Sequence, residues 1–152
     1  MATAGYMQRL PSGLAICCTI PDIFYLPELV FGGLVWILVA CTYVEPHNPQ
    51  AYVMAVSVFC FCVTFIWMVV FLCGSHHSSR GWAAADVFYH GVAALLYLSA
   101  SVPLAYVTVF LGKTAPNEQR YKFDISAVVF SYVATLLYVV HTIFSAIRWK
   151  SF

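Results

Sequence analysis

The chain has 152 residues, 62% of them hydrophobic and 9% charged, with a mean hydropathy of +0.86 and a formal net charge of +1. A water-soluble domain of this size has no interior large enough to hide that much apolar surface. So small a net charge also excludes a nucleic-acid partner, because phosphate recognition needs a basic face.

Residues 1–22 are expected to form a cytosolic or interfacial lead-in. Pro11, Ser12 and Gly13 open it, and Leu14, Ala15, Ile16 and Ile20 can lie along a membrane. Cys17 and Cys18 come next, and Cys73 closes the second apolar run. Juxtamembrane cytosolic cysteines are substrates for S-palmitoylation, whereas a buried cysteine behaves as a small hydrophobe. Both readings stand for these three positions. Cys60 and Cys62, in mid-run, are expected to be packing residues.

Four apolar runs occupy about 23–43, 52–73, 87–111 and 125–147, interrupted only by Glu28, His90 and His141. A hydrocarbon core about 30 Å thick needs roughly 20 helical residues to cross it, so each run can span. The expected fold is an all-α membrane protein, a four-transmembrane-helix bundle over 23–147 with both termini on one face. The first run begins too late and is too long for a cleaved signal, so it is expected to be a retained span. Arg9, Arg80, Arg148 and Lys150 fall on the face of the termini, against Lys113, Arg120 and Lys122 on the other. Arg148 and Lys150 abut the fourth run directly, which favours cytosolic termini. Pro46, Asn48 and Pro49 turn the first connection. Gly74, Ser75, Ser78, Ser79 and Gly81 break the second, and Gly112 is expected to stop the third span. Trp82, Tyr43, Tyr52, Tyr121 and Trp149 lie near span ends, where amphipathic rings prefer the headgroup level. The two loops on the far face hold no cysteine and no glycosylation sequon, which excludes a disulfide-stapled ectodomain. The basic tail 148–152, with Arg148, Trp149 and Lys150, is expected to anchor on an anionic leaflet or carry a sorting signal.

Polar residues inside the spans are the candidate functional ones. Glu28 has two readings. A helix starting near 26 puts it at a helix N-terminus close to water. A start at 22 buries it one to two turns deep and makes Pro27 a bend. In the third span Asp86, His90, Tyr97 and Ser101 share one face. In the fourth, Ser131, Thr135, Tyr138, Thr142 and Ser145 repeat every three or four residues, a seam that lets helices approach and hydrogen-bond across the interface. Gly32 and Gly33 offer the first span a similar close contact. Pro103 removes a backbone hydrogen bond and should kink the third span. The stripes can serve packing alone, a groove for a lipid headgroup, or a proton or ion path through Glu28, His90 and His141. No catalytic, cofactor-binding or metal-ligating pattern is legible, and His76-His77 is a loop pair without further ligands. An enzyme is therefore not expected.

Several stretches resemble the myelin and lymphocyte protein (MAL) family of four-span MARVEL-domain proteolipids. They are Leu10-Pro11-Ser12-Gly13, the run from Phe31 to Ala40, Tyr89-His90, Leu96 to Ser101, Ala127 to His141 and Ile147-Arg148-Trp149-Lys150-Ser151. The stretch from Ile20 to Leu29 has BENE-like features. Ala51-Tyr52-Val53-Met54-Ala55 departs from the family's usual Gly-Trp-Val-Met-Phe. The resemblance implies a raft-associated proteolipid whose partners are glycosphingolipid, cholesterol, membrane cargo proteins and further copies of itself, with no cofactor. It implies vesicular traffic from Golgi and endosomes to the apical plasma membrane, and myelin membrane biogenesis. The alternative function is a small transporter or channel subunit using Glu28, His90 and His141.

Overall fold

A computed structural model describes residues 13–20, 22–44, 47–74 and 79–151. The His76-His77 pair, Arg9, Pro11, Ser12, Pro46, Ser75 and Ser78 lie outside the described residues, as does the side chain of Cys17. Two 3-10 turns, Gly13–Cys17 and Asp22–Phe24, lead into four helices. These are α1 (Tyr25–Cys41), α2 (His47–Leu72), α3 (Arg80–Thr114) and α4 (Gln119–Lys150). The candidate spans are Asp22–Cys41, Asn48–Leu72, Arg80–Thr114 and Gln119–Lys150, each long and apolar enough to cross a bilayer. No strand occurs among the described residues.

The helix limits follow from local chemistry. Pro27 falls in the first turn of α1, where its missing N–H has no helical acceptor to lose. Ser79 is extended and its side chain accepts from the Trp82 backbone N–H at 3.3 Å, so α3 starts at Arg80, well before the apolar run. Gly81 therefore lies inside the helix and does not break it. The helix also continues without interruption through Pro103. Gly112 does not stop α3, which reaches Thr114. A Cβ at Gly112 would lie 2.9 Å from the Tyr121 ring, so glycine there makes room for the start of α4. That start precedes the apolar run because Asp124 turns inward and is buried.

Consecutive helices pack side by side, and α4 returns to α1, closing a ring of four. Ala93, Ala94, Ala100, Ala127 and Ala134 are buried in the main core, and their small side chains let α3 and α4 approach closely. At Gly32 a Cβ would meet the Tyr97 hydroxyl at 2.8 Å, and at Gly33 the Phe61 ring at 3.3 Å. Neither position has room for a side chain without displacing its neighbour. A smaller cluster at the terminal end holds Ile16, Tyr25, Phe71 and Ala83. Ile16 is buried there, while Leu14 and Ile20 of the lead-in are exposed.

The serine and threonine seam behaves differently from expectation. Ser131, Thr135 and Thr142 donate to carbonyls of their own helix, at Val128, Ser131 and Tyr138. Ser101 and Thr108 do the same in α3. A hydroxyl next to a carbonyl one turn back satisfies itself locally, so these residues contribute small size and not interhelical bonds. Tyr138 and Ser145 do reach across, to Thr64 and Asp86.

Candidate functional site

Polar chemistry inside the bundle concentrates at the end that carries both chain termini. Asp86 is the hub. Its carboxylate accepts from Tyr25 Oη on α1 at 2.9 Å, Trp67 Nε1 on α2 at 2.7 Å, and Ser145 Oγ and Arg148 Nη2 on α4 at 2.5 and 3.0 Å. One buried side chain of α3 is thereby bonded to each of the other three helices. Arg148 also donates to Asp22 Oδ2 at 2.6 Å and lies over the Phe71 ring. Its side chain is only 9% exposed, so it belongs to the interior and not to a tail on the lipid headgroups. Trp149 and Lys150, by contrast, are exposed.

Glu28, His90 and His141 meet beneath this hub, each with no solvent exposure. The helical limits combine the two expectations for Glu28: it is in the first turn of α1, yet fully buried. His141 Nδ1 pairs with Glu28 Oε1 at 2.7 Å, and His90 Nε2 lies 3.6 Å from Glu28 Oε2. The other nitrogens point the opposite way. His90 Nδ1 donates to the Asp86 backbone carbonyl at 2.8 Å, and His141 Nε2 is 3.8 Å from Asp86 Oδ2. The two imidazoles stack with centroids 3.6 Å apart, sandwiched between Glu28 and Asp86. Tyr25 sits edge-on against the His141 ring, and Tyr89 against the His90 ring.

Below the histidines the core is hydroxylic, not ionic. Thr64 bridges the hydroxyls of Tyr89 and Tyr138 at 2.8 and 2.6 Å, and Tyr89 donates to the Cys60 carbonyl. Tyr97 stacks on Tyr138. Ser131, Thr135 and Ser101 are buried farther along, and Thr142 is half-buried beside Tyr138. Cys18 and Cys73 are exposed near the terminal end, as acylation would need, and Cys62 is exposed where packing was expected.

Sequence reasoning placed Asp86, His90, Tyr97 and Ser101 on one face, and they are all buried. It joined Glu28, His90 and His141 only as one possible proton or ion path, and it missed Asp22, Tyr25, Trp67 and Ser145 as members of the same cluster. The usable signal was charge: a chain this poor in ions carries Asp22, Glu28, Asp86 and Arg148 at similar depth from the terminal face. Carboxylates held that far from water need partners.

Such a ring of apolar helices around a buried polar core defines a four-span integral membrane protein. The family described as MARVEL, membrane-associating domain, matches residues 16–144. Myelin and lymphocyte protein of Canis lupus familiaris is 49% identical over 150 residues, covering 99% of this chain and 97% of that protein. The Homo sapiens protein of the same name is 48% identical, covering 99% and 96%. CKLF-like MARVEL transmembrane domain-containing protein 8 of Bos taurus is 28% identical over 137 residues, covering 88% and 76%. The chain belongs to the myelin and lymphocyte protein family of MARVEL-domain membrane proteins. No solved structure matches it.

Proposed function

We propose that this protein is a non-enzymatic organiser of glycosphingolipid- and cholesterol-rich membrane, with cytosolic termini. It sorts membrane cargo into carriers bound for the apical plasma membrane and contributes to myelin membrane. The observation that supports this reading is where the apolar surface lies. Large side chains point outward from the ring along its length, among them Phe59, Phe65, Phe88, Leu95, Tyr106 and Leu136. The described connection from α3 to α4 is short. The working surface therefore faces acyl chains, and self-association of the bundle would extend it. Partitioning of labelled protein between ordered and disordered domains of giant vesicles tests the reading. Enrichment in the ordered phase is expected. Exclusion from it, with unchanged cargo delivery after gene deletion, would overturn the reading.

A second reading, a transporter or channel subunit, is favoured by the convergence of Glu28, His90 and His141. It ranks lower because the cluster ends against the Tyr89, Tyr97 and Tyr138 rings instead of continuing to the far face. Flux into liposomes that is lost in Glu28→Gln would support it, and equal flux with and without protein would eliminate it.

A further inference from the structure

We propose that Glu28, His90 and His141 form a zinc-binding site that ties α1, α3 and α4 together inside the bundle. Four observations converge on it. One ligand atom from each residue lies within 4.8 Å of the others, and all three residues are fully buried. His90 Nε2 and His141 Nδ1 both face the Glu28 carboxylate, at 3.6 and 2.7 Å. Donors around a tetrahedral zinc with bonds near 2.0 Å stand about 3.3 Å apart, so side-chain shifts of about an ångström complete the geometry.

The second observation is the outer shell. A metal-bound histidine holds its other ring nitrogen against a carbonyl or carboxylate, which fixes the tautomer. Here the outer nitrogen of His90 is held by the Asp86 carbonyl at 2.8 Å, and that of His141 faces Asp86 Oδ2 at 3.8 Å without a hydrogen bond. The His90 Nδ1–H is held by the Asp86 carbonyl, which leaves the Nε2 lone pair directed toward Glu28. Asp86 is itself held by Tyr25, Trp67, Ser145 and Arg148.

Third, Glu28 Oε2 and His90 Nε2 are buried with no hydrogen-bond partner. Buried atoms without a partner occur elsewhere in the bundle too, but here an acceptor oxygen and a ring nitrogen face each other at 3.6 Å, where a cation would complete both.

Fourth, the charges do not balance. Asp22, Glu28 and Asp86 are buried together with one guanidinium, that of Arg148. Two negative charges remain. One divalent ion balances them at a single point, using the His90 Nε2 lone pair aimed there and replacing the proton that His141 Nδ1 donates to Glu28. Two imidazoles and a carboxylate suit zinc, whereas calcium and magnesium demand six or more oxygens. The proposal is independent of the membrane-organiser reading, since neither lipid preference nor cargo enters it.

The test uses the full chain expressed with added zinc salt, purified in lipid nanodiscs and dialysed against metal-free buffer. Elemental analysis should find about one zinc per chain. Zinc-edge X-ray absorption should show two imidazoles and an oxygen shell without sulfur. The Glu28→Gln and His90→Gln variants should lose roughly tenfold in zinc affinity or more, with helical content checked by circular dichroism. Folded wild-type protein with zinc no higher than a buffer blank would overturn the proposal. So would a sulfur-dominated shell, which would place the ion on the cysteines. The absorption spectrum needs only the wild-type chain, so the question is decided even if a variant does not fold.

Discussion

The two ends of the bundle solve the same problem in different ways. At the far end, one neutral amide meets one carboxylate: Gln50 Nε2 donates to Asp124 Oδ1 at 2.9 Å, with both residues buried. At the terminal end, three carboxylates, two imidazoles and a guanidinium interlock, with hydroxyl and indole donors from the surrounding helices. A lone pair of polar groups can be exchanged for apolar ones without leaving a charge behind. An interlocked cluster cannot lose one member without stranding the rest. The far end is therefore a latch and the terminal end a lock.

The largest expected effect breaks the lock. Asp86→Ala leaves Arg148 short of one partner and strips acceptors from Tyr25, Trp67 and Ser145. Removing one side of a buried ionic contact costs about 3–5 kcal/mol, to be read as a lowered midpoint in detergent-induced unfolding. A loss below 1 kcal/mol would place the lock's strength elsewhere.

Next comes the packing at the far end. Gly112→Ala forces a Cβ to within 2.9 Å of the Tyr121 ring, and overpacking of this kind costs about 1–3 kcal/mol. Tyr121→Leu in the same chain should restore most of it. Gly32→Ala pushes a methyl toward the Tyr97 hydroxyl, which has no hydrogen-bond partner of its own. A cost of about 1 kcal/mol is expected, and Tyr97→Phe should cancel it by removing the clashing atom without sacrificing a bond. Thermal unfolding of the two single variants and the double variant checks the coupling.

The smallest effect sharpens the contrast. Replacing both members of the latch, Gln50→Leu with Asp124→Leu, should change stability by less than about 1 kcal/mol, since apolar replacement of a whole pair is close to neutral. Gln50→Leu alone should cost more, because the Asp124 carboxylate then stays buried without its donor. If the double variant is the worse of the two, the contrast between the ends disappears.

Much of the architecture was legible because hydropathy runs report directly what a bilayer requires. The limits of α3 and α4 were not, because 80–86 and 119–124 are helical turns with a single buried face. Asp86 and Asp124, both buried, occupy those faces, and a charge in a hydropathy window hides the turn that carries it. The face of Asp86, His90 and Tyr97 followed from helical spacing. Its partners did not: Glu28 and His141 are 113 residues apart in sequence, and no local pattern links them. Arg148 was assigned to the lipid surface because a cation beside a span end ordinarily belongs there. What draws it inward is Asp22 and Asp86, on segments that only the folded ring brings near. The hydroxyl seam was visible, but spacing cannot tell a serine that bonds across an interface from one that bonds back to its own helix.

The lengths of the helices carry a consequence for the bilayer. The span through α1 has 20 residues and α3 has 35, about 30 Å and 52 Å of helix respectively. Even the uncharged part of α3, residues 87–111, covers about 37 Å, against a hydrocarbon thickness of roughly 27 Å in early secretory membranes and 32–33 Å at the cell surface. Lipid on the α3 flank must stretch to cover it or the helix must lean. The α3 flank suits a thicker bilayer than the α1 flank, so one ring of helices asks for two lipid thicknesses on its opposite sides.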